Sequence, residues 1–202
     1  MYRVIMLVVG YLLGSIQSAI IYSKYMRGKD IREQGSGNAG STNVIRIYGK
    51  KAGIAVFCCD IAKAAIAVVI AKICYADHQI IAALYAAIGA IIGHSYPIYF
   101  GFKGGKGVAV TVGAIYMIDI RIGLISTIVF YISLKLSKIV SLSSMLLTSS
   151  VPVCIYFLYR TAPYRREAVI LGFVIAGITI FRHHSNIGRM IKGTESKVGT
   201  KK

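Results

Sequence analysis

Three short polar segments hold most of the residues in this chain that could do chemistry. The first runs Gln34-Gly35-Ser36-Gly37-Asn38-Ala39-Gly40-Ser41-Thr42-Asn43, with Arg46 just beyond it. Glycines at alternate and near-alternate positions let successive backbone N–H groups turn toward one point, which makes an anion nest. Ser36, Asn38, Thr42 and Asn43 add side-chain donors. A flexible linker is also Gly- and Ser-rich, but it has no need of two Asn, a Thr and a following Arg. The second segment is Gly93-His94-Ser95-Tyr96-Pro97, then Phe100-Gly101-Phe102-Lys103-Gly104-Gly105-Lys106-Gly107-Val108-Ala109. A Gly-rich turn before a helix start presents free N–H groups and the positive dipole end, which suits phosphate. Lys106 supplies a point charge. This is not a nucleotide P-loop, because Gly107 follows Lys106 where Ser or Thr is required. The third segment runs from Arg182 through His183, His184, Ser185, Asn186 and Arg189 to Glu195. His183, Asn186 and Arg189 are spaced by three and share a face if the segment is helical.

Other chemistries are excluded by what is missing. The chain has only 7 Asp+Glu, too few and too scattered for a carboxylate metal cage. There is no HExxH, no GxSxG and no Cys–His motif. Cys58, Cys59, Cys74 and Cys154 all lie in apolar runs without metal spacing, and read as buried small hydrophobes. No His is followed five positions later by Asp, the pattern expected of acyl-CoA-dependent glycerol phosphate acyltransferases. Asp60 and Lys63, at i and i+3 within an apolar run, read as an intramembrane ion pair.

The elements that must position these segments are membrane helices. The chain has 202 residues, 56% of them hydrophobic and 15% charged, with a mean hydropathy of +0.67. Soluble domains are less apolar and more charged. Apolar runs fall at about 2–23, 52–76, 79–98, 107–119, 121–137, 143–160 and 166–182. The first reads as a retained helix, without a clean cleavage site. The stretch 107–137 is short enough to be a re-entrant hairpin. Backbone polar groups in lipid require helices or closed barrels, and no dyad alternation supports a barrel. The expected fold is therefore all-α: a polytopic bundle of about seven membrane helices forming one domain over 1–202. With the N-terminus outside, most basic residues fall on one face, from Lys24 through Arg46, Lys103, Lys106 and Lys138 to Lys201 and Lys202. The positive-inside rule puts that face, and the C-terminus, in the cytoplasm. All three polar segments and Ser144 lie on it. A net charge of +17 on such a chain suits headgroups and anionic substrates.

Taken together, GSGNAGSTN at 35–43, GHSYP and FKGGKGVA within 93–109, and HSNIGRMIKGTE at 184–195 resemble the acyl-phosphate:glycerol-3-phosphate acyltransferase family, the PlsY family of bacterial membrane proteins. Ser41 stands where the family has Ala, and Ala64 follows Lys63 where the family has Gly. The resemblance implies transfer of a fatty acyl group from acyl phosphate to the 1-hydroxyl of glycerol 3-phosphate, giving lysophosphatidic acid and phosphate, without a covalent acyl-enzyme. It implies no cofactor, no metal and no nucleic-acid partner. Membrane lipid and functional coupling to an enzyme that makes acyl phosphate are expected, in the bacterial cytoplasmic (inner) membrane. Within this reading, Ser36, Gly37, Asn38, Gly40, Thr42 and Asn43 take the acyl-phosphate head, helped by the Gly104–Gly105 turn. Arg46, Lys106, Ser144, His183 and Asn186 hold glycerol phosphate. His183, Lys106 and Asn186 are the expected catalytic residues, and the hydroxyl proton goes to His183 or to a donor phosphate oxygen. Two other readings stand beside this one. An anion transporter calls for charges deep in several spans and broken helices there. A basic scaffold calls only for Lys and Arg content.

Overall fold

The computed structural model describes residues 1–199. Lys201 and Lys202, counted in the basic tail above, lie outside the described residues. Every apolar run is helical. The chain folds as α1 (Tyr2–Gly14), α2 (Ser18–Arg27), α3 (Ser41–Tyr48), α4 (Lys50–Cys74), α5 (Gln79–Ser95), α6 (Val108–Ile118), α7 (Ile120–Ser137), α8 (Val140–Leu158), α9 (Arg165–Arg182) and α10 (His184–Ile191). Among the described residues five segments are long and apolar enough to span a membrane; a sixth arises if α9 and α10, bent by 60°, count together. This falls below the expected seven because α6 has 11 residues, about 16 Å of helix against a hydrocarbon core of roughly 30 Å. The multi-pass membrane architecture stands.

Helix α5 is the axis of the bundle. In its span 78% of the apolar window is buried, against 22% for α7, which turns most of its side chains outward. Small residues let α1 lie directly on α5. A methyl group on Gly10 or Gly14 would strike the backbone of Ala86 or Ala90, and one on Gly89 or Gly93 would strike that of Leu7 or Tyr11. Two facing GxxxG stripes thus bring the helix backbones into contact, which is how helices associate where lipid removes the hydrophobic drive.

The first run, expected as one helix, is broken at Ser15–Gln17. Gln17 is extended, with φ −97° and ψ 91°. Its buried amide donates to the carbonyls of His94 (3.0 Å) and Gly14 (3.5 Å). The freed Ile16 carbonyl accepts from the Lys63 ammonium at 2.5 Å. The break survives because α4 and α5 supply partners for the groups it exposes. The cysteines need one correction. Only Cys154 is buried, while Cys58, Cys59 and Cys74 face outward from α4. Being small and apolar, they suit a lipid-facing surface as well as a core.

Candidate active site

The second polar segment leaves α5 and turns back toward its end. The Gly104 N–H donates to the Ser95 carbonyl (3.2 Å) and the Gly105 N–H to the His94 carbonyl (3.0 Å). From the far side, the Arg182 guanidinium donates to the carbonyls of Gly105 (3.1 Å) and Gly104 (3.2 Å) and lies 4.9 Å from the Tyr96 ring centre. The turn is clamped from both sides. This corrects one expectation: the amides of Gly104 and Gly105 are not free anion donors, because they anchor the turn. Gly105 must be glycine for a packing reason, since any Cβ there would meet the His94 ring and the Ala39 carbonyl.

The first segment is pinned to the second by Arg32. Its guanidinium donates to the carbonyls of Phe100 (2.6 Å) and Lys103 (3.2 Å) and pairs with Asp30 at 2.7 Å. That hydrogen bond holds the Asp30 carboxyl down to about 2. Gly35 and Gly37 take left-handed φ values of 58° and 70°, which only glycine adopts freely. Asn43 organises the loop from within. It is buried, accepts from the Ser36 N–H (3.0 Å) and donates to the carbonyls of Gln34 (2.9 Å) and Ile31 (3.3 Å). The amide expected to touch substrate is spent on shaping the loop. Arg46, exposed on α3, donates to the Asn43 side-chain Oδ1 at 3.4 Å.

The third segment bends at His183, between α9 and α10. Its buried ring donates from Nδ1 to the Thr179 carbonyl at 2.7 Å, so Nε2 carries the free lone pair. One turn on, the Asn186 side chain accepts from the Lys106 ammonium and donates to Glu195 at 2.6 Å. Glu195 also accepts from Ser141 (2.7 Å) and Arg189 (2.6 Å). Burial opposes the Glu195 charge, but the bonds from Asn186, Ser141 and Arg189 hold its carboxyl below the usual value. Burial pushes the Lys106 ammonium down to about 8, and Arg189 nearby adds to this, with Glu195 opposing. The expected helical face is therefore real for Asn186 and Arg189, which converge on one carboxylate.

Between the three segments lies a cleft of about 370 Å³. Of the expected residues, Ser36, Gly37, Asn38, Gly104 and Lys106 line it. Arg32, Lys103, Arg182 and Arg189 join them, and no carboxylate among the described residues does. His184 stands in the wall where His183 was expected; the His183 ring is buried behind the hinge. Ser144 is also removed from the cleft, its hydroxyl bonded back to the Val140 carbonyl at 2.8 Å. Gly40, Thr42, Asn43, Arg46, Gly105 and Asn186 sit around the lining without forming it.

Behind the turn is a buried polar cluster. The expected Asp60–Lys63 pair forms at 2.9 Å, Ser18 donates to Asp60 at 3.0 Å, and Lys63 Nζ lies 3.0 Å from His94 Nδ1. His94, part of the second polar segment, joins this cluster and does not line the cleft. It lies 31 residues from Lys63 in sequence but adjacent to it in space. Arg182 and Glu195 were visible only as one more charge at either end of the third segment.

Fold and cleft together define a polytopic helical membrane protein with a cation-lined site at one end of its bundle. The comparisons give the family. A family model described as glycerol-3-phosphate acyltransferase matches residues 4–193, and the chain belongs to that family. A relative from Thermoanaerobacter sp. (strain X514), named glycerol-3-phosphate acyltransferase, is 40% identical over 100% of this chain and 98% of its own length. One of the same name from Shouchella clausii is 39% identical over 95% of this chain and 94% of its own. Among solved structures, the chain resembles PlsY (YgiH), an integral membrane glycerol 3-phosphate acyltransferase. In its glycerol 3-phosphate form the TM-score is 0.87 at 34% identity, covering 98% of this chain and 96% of that one. In its lysophosphatidic acid form the TM-score is 0.83.

Proposed function

We propose that this protein transfers a fatty acyl group from acyl phosphate to the 1-hydroxyl of glycerol 3-phosphate at the cytoplasmic face of a bacterial inner membrane. The observation that carries this reading is the cleft wall: Arg32, Lys103, Lys106, Arg182 and Arg189 face one space with no carboxylate among them. Two phosphate-bearing reactants need such a field, and it attracts both from solution and from the membrane surface. The relatives' shared name supports the acceptor. The basic bias of the face bearing all three segments supports the cytoplasmic orientation.

In this reading the donor phosphate meets Ser36, Gly37 and Asn38 at the cleft rim, and the glycerol phosphate is held by Lys106 with Arg46 nearby. Asn43 and Asn186 act at one remove: the first sets the loop, the second aims the Lys106 ammonium. The glycerol 1-hydroxyl oxygen forms a bond to the acyl carbonyl carbon, and the bond from that carbon to the phosphate oxygen breaks. An acyl phosphate already has a good leaving group. The protein therefore contributes orientation and charge stabilisation, and no acyl-enzyme is required. The hydroxyl proton passes to an oxygen of the departing phosphate. Burial of His183 away from the cleft favours that route; its free Nε2 lone pair keeps His183 as the second acceptor.

The test is product formation by purified protein in detergent, with labelled glycerol 3-phosphate and either palmitoyl phosphate or palmitoyl-CoA. Lysophosphatidic acid from palmitoyl phosphate alone is expected. Product from palmitoyl-CoA alone, or from neither with folded protein, overturns the assignment and turns attention to anion counterflow in vesicles.

A further inference from the structure

A second pair of cations shares a surface basin at the end of the first membrane segment. Arg27 closes α2, Gly28 turns the chain in the left-handed region with φ 65°, and Lys29 follows. These two cations, with Gln34, Ile47 and Tyr48, line a basin of about 460 Å³. None of these residues lines the cleft described above.

The basin is built of donors. The Arg27 guanidinium lies 5.9 Å from the Tyr48 ring centre, and its one hydrogen bond is a long one, 3.5 Å to the Tyr22 hydroxyl. The Tyr48 oxygen accepts from the Gln34 amide at 2.8 Å, which leaves the phenolic proton free to donate. Among the described residues no carboxylate neutralises the pair of cations. Asp30, one residue beyond Lys29, is committed to Arg32 (2.7 Å) and Lys24 (3.3 Å), and Glu33 is not in the lining. Two cations and an unspent hydroxyl facing one space are the chemistry that recognises phosphate.

The surroundings say which phosphate. Tyr25 is 83% and Met26 67% exposed on α2 beside Arg27, and Ile45 and Ile47 are exposed on α3. These apolar side chains stand at the end of a segment long enough to cross a membrane, where headgroup meets hydrocarbon. A cation that merely snorkelled there would need no hydrogen-bonded Gln34–Tyr48 pair beside it. We propose that Arg27, Lys29 and Tyr48 form a binding site for the phosphate of an anionic phospholipid, whose acyl chains run along the exposed apolar side chains of α2 and α3.

Native mass spectrometry of the full chain in detergent tests this, with titrations of dioleoyl phosphatidylglycerol, dioleoyl phosphatidylcholine and inorganic phosphate. An Arg27→Gln/Lys29→Gln double variant is compared with Lys50→Gln/Lys51→Gln, which removes equal charge outside the basin. Both pairs are exposed, so folding is not at risk. Wild-type protein is expected to retain phosphatidylglycerol over phosphatidylcholine, and the Arg27/Lys29 variant to lose retention by roughly 30-fold, as expected of two headgroup-facing cations. Tyr48→Phe is expected to lose a smaller part, and the Lys50/Lys51 control little. Equal loss in the control pair would show general charge attraction and overturn the site. So would undiminished retention in the Arg27/Lys29 variant. Inorganic phosphate binding as tightly as phosphatidylglycerol would overturn the lipid assignment in favour of a soluble ligand. Acyl transfer measured in parallel is expected to be unchanged in the double variant, so the outcome is independent of the proposed function.

Discussion

The protonation state of Lys106 gives the sharpest test of the cleft. Burial and the nearby Arg189 guanidinium lower this ammonium to about 8, well below the ordinary lysine value. If the ammonium is what meets the phosphate of glycerol 3-phosphate, apparent affinity falls as pH rises through that value. The free-site correction is a factor of 1 + 10^(pH − pKa), so between pH 7 and pH 9 the apparent dissociation constant rises about tenfold. The substrate does not supply this change, because a phosphomonoester is already dianionic above roughly pH 6. Stability carries the opposite sign. A lysine lowered in the folded state costs most when protonated, so that cost is full below about pH 8 and fades as the unfolded value is approached. The empty protein gains stability over the same range in which it loses ligand. Lys106→Arg keeps its charge throughout and removes the alkaline limb, while Lys106→Met weakens binding roughly 10- to 150-fold at pH 7, the range expected for a lost charge-assisted hydrogen bond. Equilibrium binding of labelled glycerol 3-phosphate at several pH values checks all three. A flat wild-type profile from pH 7 to 9.5, or the same limb in Lys106→Arg, refutes the reasoning.

Three further outcomes follow from the packing. Gly14→Leu drives a side chain into the Ala90 backbone and should separate α1 from α5, losing at least the ~1–3 kcal/mol typical of overpacking; thermal unfolding in detergent reads it, and an unchanged midpoint contradicts the close approach. Lys63→Met leaves Asp60 buried without its cation and the Ile16 carbonyl without its donor. Faster hydrogen exchange at residues 15–17 and 104–107 is expected, and wild-type protection there would show that the cluster does not support the turn. His183→Ala should lower turnover less than tenfold if the donor phosphate takes the proton, since general-base removal typically costs 100-fold or more. A loss above that, with glycerol 3-phosphate binding intact, would make His183 the base.

Most of the fold was legible because membrane helices announce themselves by length and apolarity. All the expected runs are helices, with ends within a few residues of expectation. The break at Ser15–Gln17 was not legible, since Gln17 is one polar residue in an apolar run and its partners, His94 and Lys63, are far away in sequence. The two GxxxG stripes, by contrast, are plain in the sequence at Gly10/Gly14 and Gly89/Gly93 once sought. In the candidate site, composition pointed to the segments that line the cleft but not to which of their atoms are free. Backbone amides of Gly104 and Gly105, the Asn43 amide and the Ser144 hydroxyl all look available as letters and are all engaged in three dimensions. The choice between His183 and His184 depended on the 60° bend between α9 and α10, which turns the second ring toward the cleft and buries the first. No spacing rule contains that bend.

The use of the acids explains how so basic a chain builds a usable site. Asp30 holds Arg32, Asp60 holds Lys63, and Glu195 gathers Asn186 and Arg189. At the opposite ends of the helices, Asp119 holds Arg121 and Glu167 holds Arg3. Each of these five carboxylates is placed against a cation, and none of them lines the cleft. Those contacts fix where the cations stand. They do not cancel the field of the cleft, because Lys103, Lys106 and Arg182 in the wall are left without a carboxylate partner within ion-pair distance among the described residues. A few acids used as anchors, and none used as lining, give rigid cationic walls, as the proposed binding of two phosphates side by side requires. Moving one acid into the wall should therefore do more harm than removing one from behind it. Ser36→Asp, at the rim and exposed, is expected to abolish binding of both phosphate substrates with the fold intact, whereas Asp30→Asn, which only loosens Arg32, should weaken it by a few-fold. Equal effects from the two would mean that the cleft field is not what selects the substrates.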